Sequence, residues 1–359
     1  MSENTLLFSA QDLKKFSEDV LMAVGVPAPK AELVASSLVA ANLRAVDSHG
    51  VQLLAFYLER LERLEVDPRA EGHVVSEAGA CLLYDGGNGL GQVVSDICCG
   101  HAVRLARQHG IAIVVARESN HFGTAAYWAQ KLSAAGCLGV VMCNSSAIVP
   151  PWQGREGRIG TNPICMSVPG DDGKPWLLDM ATTTVAAGKI FKAFMSGQPN
   201  IPAGWAFDSA GVPTTDTREA YAGTLMPLGG YKGSGLGLMV EILCAVLSGG
   251  AMSTDVGGIR SRGAKAHTSQ MFMAIDVSRL LPLDQFQERM RWLVGSIKSA
   301  QPAAGYDEVL VAGDPEWRAE ELRLRQGIPV PEGVWEKLAA EAARLNAPVP
   351  QGTSASGSY

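Results

Sequence analysis

The hydrophobic pattern of this chain changes period twice, and that change constrains the fold more than any single motif. Up to residue 64 apolar side chains recur at helical spacing. Leu13, Phe16, Val20 and Leu21 form one stripe. Leu33, Val34, Leu38, Leu43 and Val46 form a second beyond Pro27 and Pro29, and Leu54, Leu58 and Leu61 a third from about Gln52. From about residue 73 the texture becomes short β-rich runs between glycine turns. Strands are predicted at Val74-Val75, Cys81–Tyr84, Ile111–Ala116, Val140–Met142, Ile164–Val168, Leu177-Leu178 and Met271–Ile275. Helices are predicted among them at 92–108, 124–135 and 234–247, and a charged helical pattern returns over 316–345. The expectation is an α+β protein with a helical layer from both termini around a mixed-sheet body. Its parts are an N-terminal helical layer (1–72), an α+β body (73–315), a C-terminal helical segment packing on the first layer (316–348) and a flexible Pro/Ser/Gly tail (349–359).

Composition narrows the function classes. Hydrophobic residues make up 47% of the 359 and charged residues only 18%, which excludes disorder for the bulk of the chain. The low charge also suggests surface hidden against a second subunit. The net charge of −6 argues against a nucleic-acid footprint or a polybasic membrane patch. The opening MSENTLLFSAQDLKKF lacks the early positive charge and apolar run of a secretory signal. The greasiest stretch, Gly233 to Met252, carries Glu241 at its middle, so it reads as a buried core helix and not a membrane span. Seven cysteines, odd in number and set in apolar runs, read as reduced thiols of a cytoplasmic protein. Five of the six histidines do not pair at ligand intervals, and His101 and His109 lack carboxylate partners, so no metal is expected and a metal-dependent lyase is disfavoured. The glycine clusters at 86–91 and 233–237 run G-x-G-x-G, so the Rossmann fingerprint G-x-G-x-x-G is absent. No Walker loop or nucleophile elbow fits either.

Three sets of polar residues remain. Arg44, Asp47, Ser48 and His49 gather at a helix junction beside Gly50. Histidine can carry a proton both ways near neutral pH, and an arginine one turn upstream can hold a carboxylate. The competing reading is a cap, with Asp47 or Ser48 closing the next helix. Ser119-Asn120-His121-Phe122-Gly123 directly follows a predicted strand, where α/β proteins place ligand-facing groups, though it also reads as an ordinary turn. The third set is dispersed: Asn144-Ser145, Gly160-Thr161-Asn162-Pro163, Asp179-Met180-Ala181-Thr182 and Tyr231-Lys232-Gly233. These hydroxyls, amides and one lysine suit a dinucleotide's ribose and phosphates.

Taken in order, D-S-H-G near 48, S-N-H-F-G near 120, G-T-N-P near 161, D-M-A-T near 180 and Y-K-G-x-G near 232 resemble the type-2 malate/L-lactate dehydrogenase family over roughly residues 8–345. That family includes ureidoglycolate and sulfolactate dehydrogenases, diketogulonate reductases and Δ1-piperideine-2-carboxylate reductases. The resemblance implies a homodimeric NAD- or NADP-dependent oxidoreductase on a non-Rossmann fold, acting on a small carboxylate. By position it implies His49 as proton donor and acceptor, assisted by Ser48, and Arg44 as carboxylate partner. It makes His121 a catalytic base or a cofactor contact. Ser145, Asp179, Met180, Ala181, Thr182, Lys232, Gly233 and Gly313 fall where cofactor contacts lie, and Thr161 touches substrate or nicotinamide. Members acting on cyclic imines carry an acid after D-M-A-T where this chain has Ala187-Gly188-Lys189, which favours 2-hydroxy and 2-oxo acids. Δ1-Piperideine- or pyrroline-2-carboxylate reduction is the alternative activity, and a ligand-binding protein on the same scaffold is the non-enzymatic one.

Overall fold

The computed structural model describes residues 5–170, 173–259 and 263–354. Strand β1 (Thr5–Phe8) leads into helices α1 (Ala10–Ala23), α2 (Ala28–Leu43) and α3 (Leu54–Glu62). Ser9 caps α1 by accepting the Asp12 N–H, and Pro27 introduces α2. The body follows as β2 (His73–Ala78), β3 (Cys81–Asp85), α4 (Gly91–His109), β4 (Ile111–Ser119), α5 (Ala125–Ala134), β5 (Cys137–Cys143), β6 (Ile164–Ser167) and β7 (Leu177–Met180). A small lobe comes next: α6 (Ala187–Met195), β8 (Ala206–Phe207), β9 (Pro213–Thr214), α7 (Thr217–Ala222) and β10 (Thr224–Leu225). Then come α8 (Tyr231–Glu241), which runs into a π-helical turn over Ile242–Val246, β11 (Thr268–Asp276) and α9 (Leu283–Lys298). The chain ends with α10 (Asp314–Gln326), β12 (Ile328–Pro331), α11 (Glu332–Arg344) and β13 (Thr353–Ser354).

The central sheet runs β2-β3-β4-β11-β5-β6-β7. Its β3–β4 pair is parallel and its other neighbours are antiparallel. Successive side chains face opposite sides, so each inner strand feeds two cores. Val114, Val141 and Phe272 pack with Cys98, Leu105 and Trp128 of α4 and α5. Val115, Met142 and Met271 pack with Val240 and Cys244 of α8 and its π turn. The sheet body is thus a helix–sheet–helix sandwich in which one cover is the 231–246 segment.

The helical layer has its own core. Phe8, Leu13, Phe16 and Leu38 meet Trp335 and Leu338 of α11, with the Trp335 ring 4.1 Å from Phe8 and 5.0 Å from Phe16. A three-stranded sheet, β12-β1-β13, ties the two ends together. Two expectations change here. The helical pattern over 316–345 is interrupted, because Gly327 (φ 97) ends α10 and Pro329 and Pro331 cannot continue a helix, so Ile328–Pro331 pairs with β1. The expected free tail is in part a strand: Thr353 and Ser354 pair with Leu7 and Leu6, while 355–359 lie outside the described residues. The sequence reading also leaves 283–298 unassigned, although Phe286, Met290, Leu293 and Ile297 recur there at helical spacing.

The helix containing Glu241 differs from a fully buried core helix. Its Val240–Cys244 side lies under the sheet, but Leu238, Ile242, Val246 and Leu247 are each about half exposed. No helix among the described residues is long and apolar enough to cross a membrane.

Candidate active site

Between α2 and α3 the chain turns through two short 3-10 segments, Asp47–His49 and Val51–Leu53. Asn42, buried in the last turn of α2, organises this turn. Its Nδ2 donates to Asp47 Oδ1 at 2.6 Å, and its Oδ1 accepts the Val51 N–H at 2.8 Å. Gly50 is required because a Cβ there would lie 2.2 Å from Asn42 Oδ1. From α10, Arg323 grips Asp47 at 2.6 and 3.0 Å. The capping alternative therefore does not apply: α3 begins after Leu53 with no side-chain cap, and Asp47 is spent on holding the turn to α10. What the turn presents is Ser48 and His49, with Ser48 Oγ 2.9 Å from His49 Nδ1.

The second cluster sits where β4 ends. Asn120 lies in the cavity wall, anchored by its Nδ2, which donates to Gly89 O at 2.8 Å and Asn88 O at 3.2 Å, while its Oδ1 has no hydrogen-bond partner. Gly91 lets α4 approach this loop, since a Cβ would meet Asn120 O at 2.2 Å and His121 O at 2.4 Å. His121 is thereby set beside His49, ring centroids 5.6 Å apart and planes 24° from parallel. Tyr57 OH lies 2.7 Å from His121 Nδ1, and Gln92 Nε2 donates to the same phenol at 3.0 Å. Burial pushes the Tyr57 pKa upward, so the phenol keeps its proton.

Both histidines open onto a cavity of about 900 Å³ that runs between the helical layer, the sheet ends and the small lobe. Of the residues singled out in the sequence, Arg44, Ser48, His49 and His121 line it, as do Ser145, Thr161, Asp179, Ala181 and Gly313. Thr161 N–H donates to Ser145 Oγ at 3.0 Å, and Asn162 Oδ1 accepts the Ser145 N–H at 3.0 Å. Asn162 adopts φ 35 and is itself held by Glu241, 3.3 Å away. Gly313 (φ 98) starts α10 against Leu177.

Met180, Thr182, Lys232 and Gly233 are outside the cavity wall. The Thr182 hydroxyl is spent on Thr161 O at 2.9 Å. Gly233 is needed for packing, because a Cβ would lie 2.3 Å from Leu228 N. Met180 pairs with Ile164 in the sheet, and Lys232 is exposed on the first turn of α8.

Two charges are set in this wall. The Arg44 guanidinium stacks 4.2 Å over Trp317, with Glu320 at 3.6 Å, and neither terminal nitrogen has a hydrogen-bond partner. Burial lowers its pKa while Glu320, Glu316 and Asp179 pull it back. Asp179 is exposed to the open space of the cavity, with the wall crowded around it. Crowding by that wall pushes its pKa up to about 6, against the Ala126 N–H (2.9 Å) and Arg44, which both favour the anion. Gly188 at the start of α6 backs on Ser48, where an added Cβ would be 3.2 Å from Ser48 Cβ.

Sequence reasoning missed Asn42, Tyr57, Gln92, Trp317 and Arg323. Tyr57 and Gln92 fall within helical patterns that read as core, and the partners on α10 lie more than 270 positions away, with no local signal pointing to them.

The sequence profile of the malate/L-lactate dehydrogenase family matches residues 8–339. The chain is 38% identical to malate dehydrogenase of Pyrococcus horikoshii over 353 residues, covering 96% of this chain and 97% of that protein. It is 32% identical to L-sulfolactate dehydrogenase of Methanocaldococcus jannaschii over 333 residues, covering 93% and 95%. The solved Δ1-piperideine-2-carboxylate reductase of Pseudomonas syringae pvar. tomato superposes with a TM-score of 0.82 at 28% identity, covering 94% of this chain and 99% of that one.

Proposed function

The chain belongs to the malate/L-lactate dehydrogenase family, and from that premise we propose that it interconverts a small 2-hydroxy acid and its 2-oxo acid, with NAD or NADP as redox partner on a non-Rossmann fold. The observation that carries the reading is the Ser48–His49 pair, set beside His121 in the wall of a single large cavity. The cavity suits a dinucleotide with a small acid. About 900 Å³ is at the upper end of ligand sites. Lining residues also carry polar atoms without hydrogen-bond partners: both terminal nitrogens of Arg44, Gln92 Oε1 and Asn120 Oδ1.

The chemistry a bound nicotinamide would supply is hydride exchange at C2 of the acid. His49 handles the matching proton. Its Nδ1 faces Ser48 Oγ, so the transferable proton sits at Nε2. In reduction this proton goes to the oxygen that becomes the hydroxyl, and in oxidation it returns. Ser48 accepts from Nδ1 and so favours the charged ring. Such general acid–base help is worth ~10²–10⁴-fold. Arg44 and Thr161 hold the substrate carboxylate, which fixes the reacting carbon. Ser145, Asp179, Ala181 and Gly313 meet the cofactor from the sheet ends. Met180, Thr182, Lys232 and Gly233 are assigned to it by family resemblance alone.

The imine-reducing neighbour keeps a C=N substrate as the second reading. The residue of the 187–189 segment set against Ser48 is Gly188 and not an acid, which favours the oxo acid. A homodimer formed through the exposed apolar side of α8 completes the proposal.

His49→Asn tests it: turnover of every accepted oxo acid falls by at least ~10²-fold, while NADH still binds in a fluorescence titration. Near-normal turnover removes His49 from the mechanism. Pyruvate, oxaloacetate, sulfopyruvate, ureidoglycolate and a cyclic imine, each assayed with both cofactors, identify the substrate.

A further inference from the structure

The hydrogen-bond donors around His121 allow one further step, which rests on the dehydrogenase reading above. The backbone N–H of Gly123 lies 3.3 Å from His121 Nδ1 and can only donate, so Nδ1 is the nitrogen without a proton. Tyr57 OH lies 2.7 Å from the same atom and must turn its hydroxyl proton toward it. The phenol oxygen in turn takes the Gln92 amide hydrogen at 3.0 Å, so three donors point one way along Gln92, Tyr57 and His121. Gln92 and Tyr57 are both buried.

Charging His121 would put a proton on Nδ1, against the Gly123 N–H and against the Tyr57 hydroxyl. Tyr57 could reverse only by giving up its order with Gln92, and the backbone N–H cannot reverse at all. His49 is placed differently. Its Nδ1 meets a serine hydroxyl, which rotates and can accept as readily as donate. Among the described residues, Tyr57 from α3 and His49 from the 3-10 turn are titratable groups that face the His121 ring, while Gln92 of α4 and the Gly123 backbone are neutral.

We propose that Tyr57 is a positioning residue which, together with Gln92 and the Gly123 N–H, holds His121 as a neutral imidazole with its proton on Nε2. His121 is then a fixed hydrogen-bond donor to the bound ligand, and His49 alone carries the reaction's proton. The two stacked rings divide the work between a donor that stays neutral and an acid–base group that cycles.

The test uses the ¹⁵N-labelled full-length protein and long-range ¹H–¹⁵N spectra of the imidazoles, with His121 assigned through His121→Asn. In the native protein the expected result is the Nε2–H tautomer, titrating at least about one unit below an ordinary histidine. In Tyr57→Phe, His121 titrates at least about one unit higher than in the native protein and populates both tautomers. Its kcat falls by about tenfold, while KM for the oxo acid and NADH affinity change less than about threefold. Gln92→Leu, which keeps the phenol, moves the His121 titration the same way by a smaller amount. An Nδ1–H tautomer in the native protein overturns the proposal even if Tyr57→Phe does not fold. So does a His121 titration that neither variant moves. The tautomer is read without turnover, so a correct tautomer with no oxo acid reduced sinks the dehydrogenase reading alone. Turnover with the wrong tautomer sinks this proposal alone.

Discussion

Asp179 shows most directly how the site costs the fold something. Although Asp179 is exposed to the cavity, crowding by the surrounding wall raises its pKa to about 6 from the ordinary 3.8. The folded chain therefore binds this proton more tightly than the unfolded chain does. The stability it contributes is fully present below about pH 4, where both states are protonated, and is lost as pH rises through about 6. Asp179→Asn removes the charge but keeps an acceptor for the Ala126 N–H. The cofactor-free variant is expected to melt higher than the native chain at pH 7 and to lose that advantage at pH 4. Its NADH affinity falls by about tenfold, from a lost charge-assisted bond. Thermal melts at the two pH values and a fluorescence titration check both parts; an unchanged melting temperature at pH 7 contradicts the raised pKa. Single residues were legible in the sequence where polar types stand out from an apolar background. Ser48, His49 and His121 could be picked because they sit at junctions and strand ends. Tyr57 and Asn42 could not, because an aromatic or an amide on a helical stripe looks like core until its partner across the fold is seen.

At the scale of elements, α8 joins the sheet to the site through Glu241. This carboxylate is 4% exposed. It accepts the Ser253 N–H at 2.6 Å and the Asn162 amide at 3.3 Å, and burial raises its pKa. Asn162 in turn fixes the Ser145 N–H and adopts an unfavourable left-handed backbone, so the Ser145–Thr161 corner is held from α8, by Gly237 O at 2.9 Å and Glu241 at 3.3 Å. The π turn begins at the very next residue, Ile242, and such bulges often mark functional positions. Glu241→Ala leaves the half-buried Ser253 N–H without its acceptor, while the Asn162 amide keeps Gly237 O at 2.9 Å. Chemical denaturation should show a loss of about 1–3 kcal/mol, and cofactor affinity should fall with kcat less affected. Equal stability would mean that the corner holds without Glu241. Element types were readable wherever period and length agreed, as in α1, α2, α4, β4, β5 and β11. The small lobe was not, because its strands are two residues each and its core draws on Val149, Ile159 and Ile201 from outside those strands. The β12-β1-β13 sheet was equally hidden, since it pairs the two ends of the chain and no local pattern can announce a partner over 300 residues away.

At the scale of the whole molecule, the outer side of α8 needs a cover. Leu238, Ile242 and Val246 recur every four residues, so they share one face of the helix, and Leu247 adjoins it. Their exposures are 53%, 48%, 53% and 58%. The opposite face is already committed to the sheet through Val240 and Cys244. A helix apolar on both sides needs cover on both, and a contiguous apolar strip of this kind in water marks an association surface. The low charged fraction of the whole sequence points the same way, and a second copy meeting through the same strip gives a closed two-fold pair. The native protein should sediment at twice its 37.8 kDa chain mass. Leu238→Glu with Val246→Glu should sediment as single chains, because two carboxylates cannot be buried unpaired at a symmetric contact. Since the buried side of the same helix carries Glu241, whose contact with Asn162 holds the Ser145 corner, loosening α8 should also weaken cofactor binding in the separated chains, by a factor that sedimentation with and without NADH can read through mass action. A native protein that runs as a single chain at micromolar concentration, with full activity, would mean that this face stays open to water and the site is complete within one subunit.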